Sequence, residues 1–356
     1  MAATNPNLSR RTLVAARTEA SYNVDSQSGV SLTTTASTAM LLWDEVNPIS
    51  VDTQVIDKQV VRASFSDYPY LIGRQLYMFK PKTLLMNSPG GSGQAPDSGD
   101  LTAAANNTGN NAVAGVPPFF SHLLRACALA EGKDVTGGSV VYTPVSTGFK
   151  SATAYVFADG IRHIITGMYG NCVFTGAAGE GIEMAFDMKG SYLDPTVTAI
   201  PSSVVYPADQ KAIMKSSGMT MTRVAGYNDG AYRNLPPIAR SFKFDLGVQV
   251  IERKDFDSPV GLLGLWITNR KPTLNLVVEV EQNLVSFNPW ASLGGAETMT
   301  IQLTHGATSP NRCRFFWRET QLRNVQYQDD QGIRTYALDY SLTSAADDQD
   351  SMLTFF

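Results

Sequence analysis

Charge is scarce in this chain, and so are cysteine and histidine. Asp, Glu, Lys and Arg make up 17 % of the 356 residues, against roughly 25 % in an ordinary soluble protein. The net charge of −4 leaves no basic surplus with which to grip nucleic-acid phosphates. The three cysteines, Cys127, Cys172 and Cys313, lie far apart and form no CxxC pair. That argues against a disulfide framework and against a zinc site. Reduced, buried thiols suit folding in a cytosol. Of the three histidines, local pattern puts His122 in a helix, His163 in a strand and His305 in a turn. None has a second histidine or a carboxylate at metal-binding spacing, so they read as solvent-facing or hydrogen-bonded side chains. Long apolar runs are missing too. The longest, such as Leu262 to Ile267, fall far short of a membrane span. The opening Met1-Ala2-Ala3-Thr4-Asn5-Pro6 carries no apolar signal core.

Catalytic patterns are equally thin. Gly91-Ser92-Gly93 lacks the GK[ST] of a phosphate loop and the GxSxG of a nucleophile elbow, and reads as a flexible loop. Asp347, Asp348 and Asp350 read as a solvated acidic tail rather than a rigid acid/base pair. Arg312, Arg314 and Arg318 interleave with Phe315, Phe316 and Trp317. Such a mixture can stack single-stranded nucleic acid, but in strand-rich surroundings it reads as a half-buried strand. Nothing here calls for a cofactor or a reaction, and the chain is expected not to be an enzyme.

What the sequence has in quantity is β pattern. Hydrophobic residues reach 43 %, and 29 glycines and 18 prolines supply turns. Phe242, Phe244, Leu246, Val248 and Val250 alternate with Lys243, Asp245 and Gln249. Leu274, Leu276, Val278 and Val280 alternate with Asn275, Glu279 and Glu281, and Tyr336, Leu338, Tyr340 and Leu342 with Asp339 and Ser341. Period two with one apolar side predicts half-buried antiparallel strands. Asp159-Gly160 and Gly179-Glu180-Gly181 predict hairpins. Pro117-Pro118 opens one predicted helix over 119–131, closed by Gly132.

The predicted organisation is an N-terminal arm (1–48), a first β-domain (49–192) containing a long loop at 88–116, a linker (193–217), and a second β-domain (218–356). Short similarities suggest an internal repeat connecting the halves, to be tested against the structure. Gln54-Val55-Ile56-Asp57-Lys58 resembles Gln249-Val250-Ile251-Glu252-Arg253, and each is followed by a strand near a Lys-Pro pair, Lys80-Pro81 and Lys271-Pro272. Each half also ends in a hairpin with a Gly-Ile exit, Gly181-Ile182 and Gly332-Ile333.

In order, Ser88-Pro89-Gly90-Gly91-Ser92-Gly93, the helix from Pro118 to Leu129, Val141-Tyr142-Thr143-Pro144, Thr166-Gly167-Met168-Tyr169-Gly170-Asn171 and Phe186-Asp187-Met188-Lys189-Gly190 resemble the tail tube proteins of long-tailed phages. So do Leu13 to Tyr22, with Arg17 and Glu19, and the second-half segments Ser241 to Val250 and Ile267 to Pro272. The resemblance covers most of the chain and rests on the order of motifs. It departs at the spacer 94–116 and at Ala128, where the pattern favours glycine. It implies a β-sandwich or barrel with a flanking helix, whose copies join into rings that stack into a channel for the genome. Two tube domains per chain favour three chains per ring, with six chains as the alternative. The implied partners are other copies, a tape measure inside the tube, terminator and tip proteins, and phage DNA in transit. The implied location is the virion, after assembly in the host cytoplasm, with no membrane.

Within that expectation Asp187, Glu279, Glu281 and Asp339 are candidates to face the channel. Leu353, Phe355 and Phe356 are candidates for contacts between subunits. Two other readings stand beside it. One is a different virion component, a terminator or decoration module. The other is a carbohydrate-binding or hydrolytic β-sandwich, for which Trp43, Trp266, Trp290 and Trp317 are scattered and no carboxylate pair stands out.

Overall fold

A computed structural model describes residues 11–26, 39–40, 47–58, 61, 63, 66, 68–86, 117–134, 139–201, 222–223, 233–234, 238–258, 261–280, 288–293, 299–306, 312–344 and 348–355. The loop 88–116, most of the linker, Ser92, Glu281, Asp347 and Phe356 lie outside these residues. Among them the chain is mainly β, as the alternation predicts, with one short flanking helix and one further helical turn. No described helix is long and apolar enough to cross a membrane.

The first half runs β1 (Thr12–Thr18), β2 (Ala39–Met40), β3 (Ile49–Ile56), β4 (Leu71–Phe79), β5 (Lys82–Leu84), α1 (Ser121–Ala126), β6 (Leu129–Asp134), β7 (Ser139–Pro144), β8 (Ala152–Ala158), β9 (Ile161–Ala177) and β10 (Glu183–Ser191). Three two-residue strands follow: β11 (Thr196–Val197), β12 (Thr222–Arg223) and β13 (Arg233–Asn234). The second half runs β14 (Ala239–Asp245), β15 (Val248–Lys254), β16 (Leu262–Arg270), β17 (Thr273–Glu279), α2 (Pro289–Ser292), β18 (Met299–His305), β19 (Cys313–Asp330), β20 (Ile333–Thr343) and β21 (Ser351–Phe355).

The pairings are antiparallel. One ladder runs β3, β4, β10, β9, β14, β17, β20, β19. It crosses from the first half to the second where Phe244 of β14 pairs with Phe174 of β9. The long strands β9 and β19 each serve two neighbourhoods. The start of β9 pairs with β8, which pairs with β1. The start of β19 lies between β18 and β21, and β21 pairs with β7.

β9 and β19 stand four places apart in the ladder, yet their rings meet. Phe315 is 5.2 Å from Phe174, and Trp317 is 5.4 Å from Phe244. Strands lie about 4.8 Å apart sideways, so such contacts require the sheet to turn over its own core. One continuous buried cluster results, with members from both halves. The two predicted β-domains therefore share a core.

Both halves share parts of one order: a hairpin, Lys-Pro, a strand and a helical turn, and later a long strand followed by a closing strand; between the turn and the long strand the first half has three strands, β6 to β8, and the second has only β18. The hydrogen bonds at Lys-Pro repeat as well. Lys80 N–H donates to the Pro48 carbonyl at 2.7 Å, and Lys271 N–H donates to the Gly247 carbonyl at 3.0 Å. Phe186 N–H donates to the Pro81 carbonyl at 3.0 Å, and Leu342 N–H donates to the Pro272 carbonyl at 3.2 Å. The pentapeptide match is a different matter. Ile49 pairs with Phe79 just before Lys80, and Val248 pairs with Arg270 just before Lys271. Counted from there, Gln54 is the sixth residue of its strand and Gln249 the second. The hairpins correspond, but the two pentapeptides do not.

The helix predicted over 119–131 is shorter, Ser121–Ala126. Ala128 takes φ +59, the left-handed conformation that glycine favours, and turns the chain into β6. The apolar periodicity ran through Leu129 because that residue is buried too, but on a strand that pairs with Pro144. The N-terminal stretch assigned to an arm is also part of the body. β1 pairs along its whole length with β8, and Leu13 and Val14 are buried.

Candidate functional site

Among the described residues no cluster of three His, Cys, Asp or Glu side chains could hold a metal ion. The cysteines are free and buried, and burial pushes the Cys172 thiol well up from its ordinary range. His163 packs edge-on against Tyr77, whose hydroxyl is 3.1 Å from Nδ1, and burial lowers its pKa. The Thr18 N–H donates to Nδ1 of His122 at 3.2 Å. His305 ends a strand, not a turn, and is buried.

The acidic C-terminal stretch is not a solvated tail. Asp350 is buried and pairs with Arg270 at 2.8 Å, and Asp348 accepts from the Ser146 hydroxyl at 2.6 Å. Both line a polar cleft of about 470 Å³ with Arg323 and Lys271. Leu353 and Phe355, expected between subunits, are covered by the chain itself. They pair with Phe315 and Cys313 on one side and with Tyr142 and Val140 on the other. The basic-aromatic stretch 312–318 is a half-buried strand with Phe315 and Trp317 inside.

Asp187, Glu279 and Asp339 come together on one face. Register carries a row across the sheet from Glu183 through Thr175, Lys243, Asn275 and Asp339 to Asn324. Asp187 and Glu279 point the same way, two positions from Ala185 and Val277 on their strands. Phe174, Phe244, Leu276 and Leu338 fill the opposite face. The outer face carries polar residues from both halves, and Asp187, Glu279 and Asp339 have partners. Lys80 is 3.4 Å from Asp187, Arg240 is 2.9 Å from Glu279, and Asn324 Nδ2 donates to Asp339 at 3.2 Å. The carboxylates Asp330 and Glu279 raise the Arg240 pKa, chiefly through hydrogen bonds.

Apolar exposure concentrates elsewhere. More than half of the exposed large hydrophobic residues lie on the hairpins β3–β4 and β15–β16 or their connecting turns. Val55, Ile56, Leu71 and Ile72 crowd the end of the first, and Phe256 and Leu263 the end of the second. Among the described residues β15 and β16 pair only with each other, and β3 pairs only with β4. Isolated hydrophobic residues on a surface are ordinary, but a concentration on projecting hairpins marks a contact surface.

The two hairpins are tied at their base. Arg74 of β4 bonds Asp52 at 2.9 Å and also pairs with Glu252 of β15, which Lys189 approaches at 3.8 Å. The Tyr22 hydroxyl accepts from Leu265 N–H at 2.5 Å, and its ring stacks on Tyr169 at 5.7 Å. A Cβ at Gly264 would stand 2.6 Å from that hydroxyl. A double-mutant cycle of Arg74→Ala and Glu252→Ala, read by urea denaturation, should give a coupling of about 1 kcal/mol. A coupling indistinguishable from zero would mean that the hairpins are held by other contacts. No sequence signal marked this exposure: in β3 Val51, Thr53 and Val55 alternate with Asp52 and Gln54 as in a half-buried strand, and the stretch of β4 that is apolar on both sides, Leu76 to Phe79, is largely buried. The role of Arg74 had no local signal.

Comparison with known protein families and with curated proteins finds no match for this chain.

Proposed function

We propose that this chain is a structural subunit that assembles with its own copies into stacked rings, forming the tail tube of a long-tailed phage. The observation that carries the reading is the doubled half. Two units with a matching hairpin, Lys-Pro corner and long strand with closing strand build one sheet whose outer face carries polar residues from both units. Three chains then supply six quasi-equivalent units around a ring, and six chains are the alternative. Open sheet edges expose unpaired backbone groups, and closing a ring of edges satisfies them.

In this reading the face bearing Asp187, Glu279 and Asp339 lines the channel. Lys80 and Arg240 on it pair with carboxylates and Lys243 is exposed, against the carboxylates Glu183, Asp187, Glu279 and Asp339, so the face offers passing DNA little net positive charge. The exposed hairpin ends reach the next ring, a head-to-tail contact that propagates without closing. The role needs no cofactor and no catalytic group. Its partners are sister copies, the tape measure, the terminator and tip proteins, and its place is the virion.

Light scattering and electron microscopy of the purified chain test it. Rings of three copies that stack into tubes are expected as concentration rises. A species that stays at 38.5 kDa under those conditions would overturn the reading.

A further inference from the structure

We propose that the polar cleft beside Asp348 and Asp350 is a binding site for a phosphate group, held by Arg323 and Lys271. The site is independent of the assembly reading and would stand without it.

The cleft measures about 470 Å³, within the range of small-ligand sites. Its carboxylates are held in place by donors of the chain itself. Asp348 reaches back to the first half, accepting from Ser146 N–H at 3.0 Å and from the Ser146 hydroxyl at 2.6 Å. Asp350 is buried and accepts from Arg270 through both of its oxygens, at 3.0 Å and 2.8 Å.

The other two cations of the cleft are placed by the backbone. Leu322 pairs with Tyr340 and Asn324 with Asp339, which leaves Arg323 as the extra residue of a bulge in β19. A bulge turns a side chain away from the alternation of its strand, and Arg323 lines the cleft. Lys271 stands at the Lys-Pro corner, where its N–H donates to the Gly247 carbonyl at 3.0 Å. Ser341, two residues beyond Asp339 on β20, adds a hydroxyl to the lining.

Among the described lining residues, Arg270, Lys271 and Arg323 stand against Asp348 and Asp350. Because those carboxylates are engaged by Arg270 and Ser146, the surplus positive charge rests on Arg323 and Lys271. A guanidinium fork, an ammonium and a hydroxyl around one space suit an anion with several acceptor oxygens. Phosphate answers that better than a carboxylate, which offers two oxygens in one plane. The cleft exceeds the size of a phosphate, which leaves room for the organic part of a phosphate ester.

Titration calorimetry of the purified chain at about 0.1 M salt tests this, with inorganic phosphate, adenosine monophosphate and acetate as probes. Phosphate should bind saturably at one site per chain, and acetate about tenfold more weakly or worse. Tighter binding of adenosine monophosphate than of phosphate assigns the site to phosphate esters, and equal binding assigns it to free phosphate; both support phosphate recognition. Arg323→Ala and Lys271→Ala should each weaken phosphate about tenfold, the loss of one hydrogen bond to a charged group, with the melting temperature of the free chain unchanged. Arg323→Lys keeps the charge without the fork and should fall between wild type and alanine. Absence of saturable binding at millimolar phosphate, or alanine variants that bind as tightly as wild type, would overturn the proposal. Binding that emerges only in Asp347→Asn would also overturn it, because a carboxylate of the chain would then hold the site.

Discussion

Gly247→Ala should destabilise the fold by about 4 kcal/mol or more, placing it among the most damaging single substitutions available. Gly247 has φ +64, and a Cβ there would stand 2.0 Å from the carbonyl oxygen of Lys271. The left-handed conformation alone costs an L side chain about 1–2 kcal/mol. The larger part is the clash, because the obstructing atom is backbone and cannot rotate away. Lys271 N–H also donates to the Gly247 carbonyl at 3.0 Å, so the two chains are held at this separation. Asp245 Oδ1 tightens the corner further, accepting from Gly247 N–H at 2.8 Å and from Asn171 Nδ2 at 2.7 Å. The counterpart corner makes the same Lys N–H bond through Pro48, whose ring holds φ negative. One hydrogen bond is thus reached by two backbone routes, and only the second requires glycine. Urea unfolding of the variant measures the cost. A loss below about 1 kcal/mol would mean that the corner can open without consequence.

Glu19→Ala should cost about 3–5 kcal/mol, the range seen when a buried charged group is removed from its partners. Glu19 is 3 % exposed. Its carboxylate accepts from the Ser151 hydroxyl at 2.5 Å, the Thr153 hydroxyl at 2.7 Å, Gly167 N–H at 2.7 Å and Asn23 N–H at 2.8 Å. Four donors repay the desolvation of the charge, and truncation strands them in the interior. The site matters because of where it lies. Gly167 has φ +62 in the long strand β9, between the part that pairs with β8 and the part that pairs with β10. Glu19 holds that bend and the end of β1 together. Glu19→Gln keeps the volume but turns an amide toward donors, so it should fall between wild type and alanine. Equal stability of Glu19→Ala and wild type in urea would remove Glu19 from this role.

Strand content and the direction each side chain faces were legible in single segments. Phe242 and Phe244, Leu274 and Leu276, and Leu338 and Tyr340 are buried where alternation puts them. Asp187, Glu279 and Asp339 share the polar face for the same reason: a period of two sorts residues onto opposite sides of any strand, whatever its neighbours. The Lys-Pro pairs marked two real corners.

Partners were another matter. The helix at 119–131 ended early because Leu129 found burial on a strand, and burial looks alike in either conformation. Phe355 looked free to dock elsewhere until β7 and β19 enclosed it from opposite sides, with Val140 distant in the chain. Asp350 looked solvated until Arg270 met it. The sequence by itself determined which side of each strand is apolar, because that depends only on neighbours one or two residues away. Which strand lies beside which and how the sheet turns over its core were decided by tertiary structure. Those outcomes depend on contacts between segments a hundred or more residues apart, and no local period encodes them.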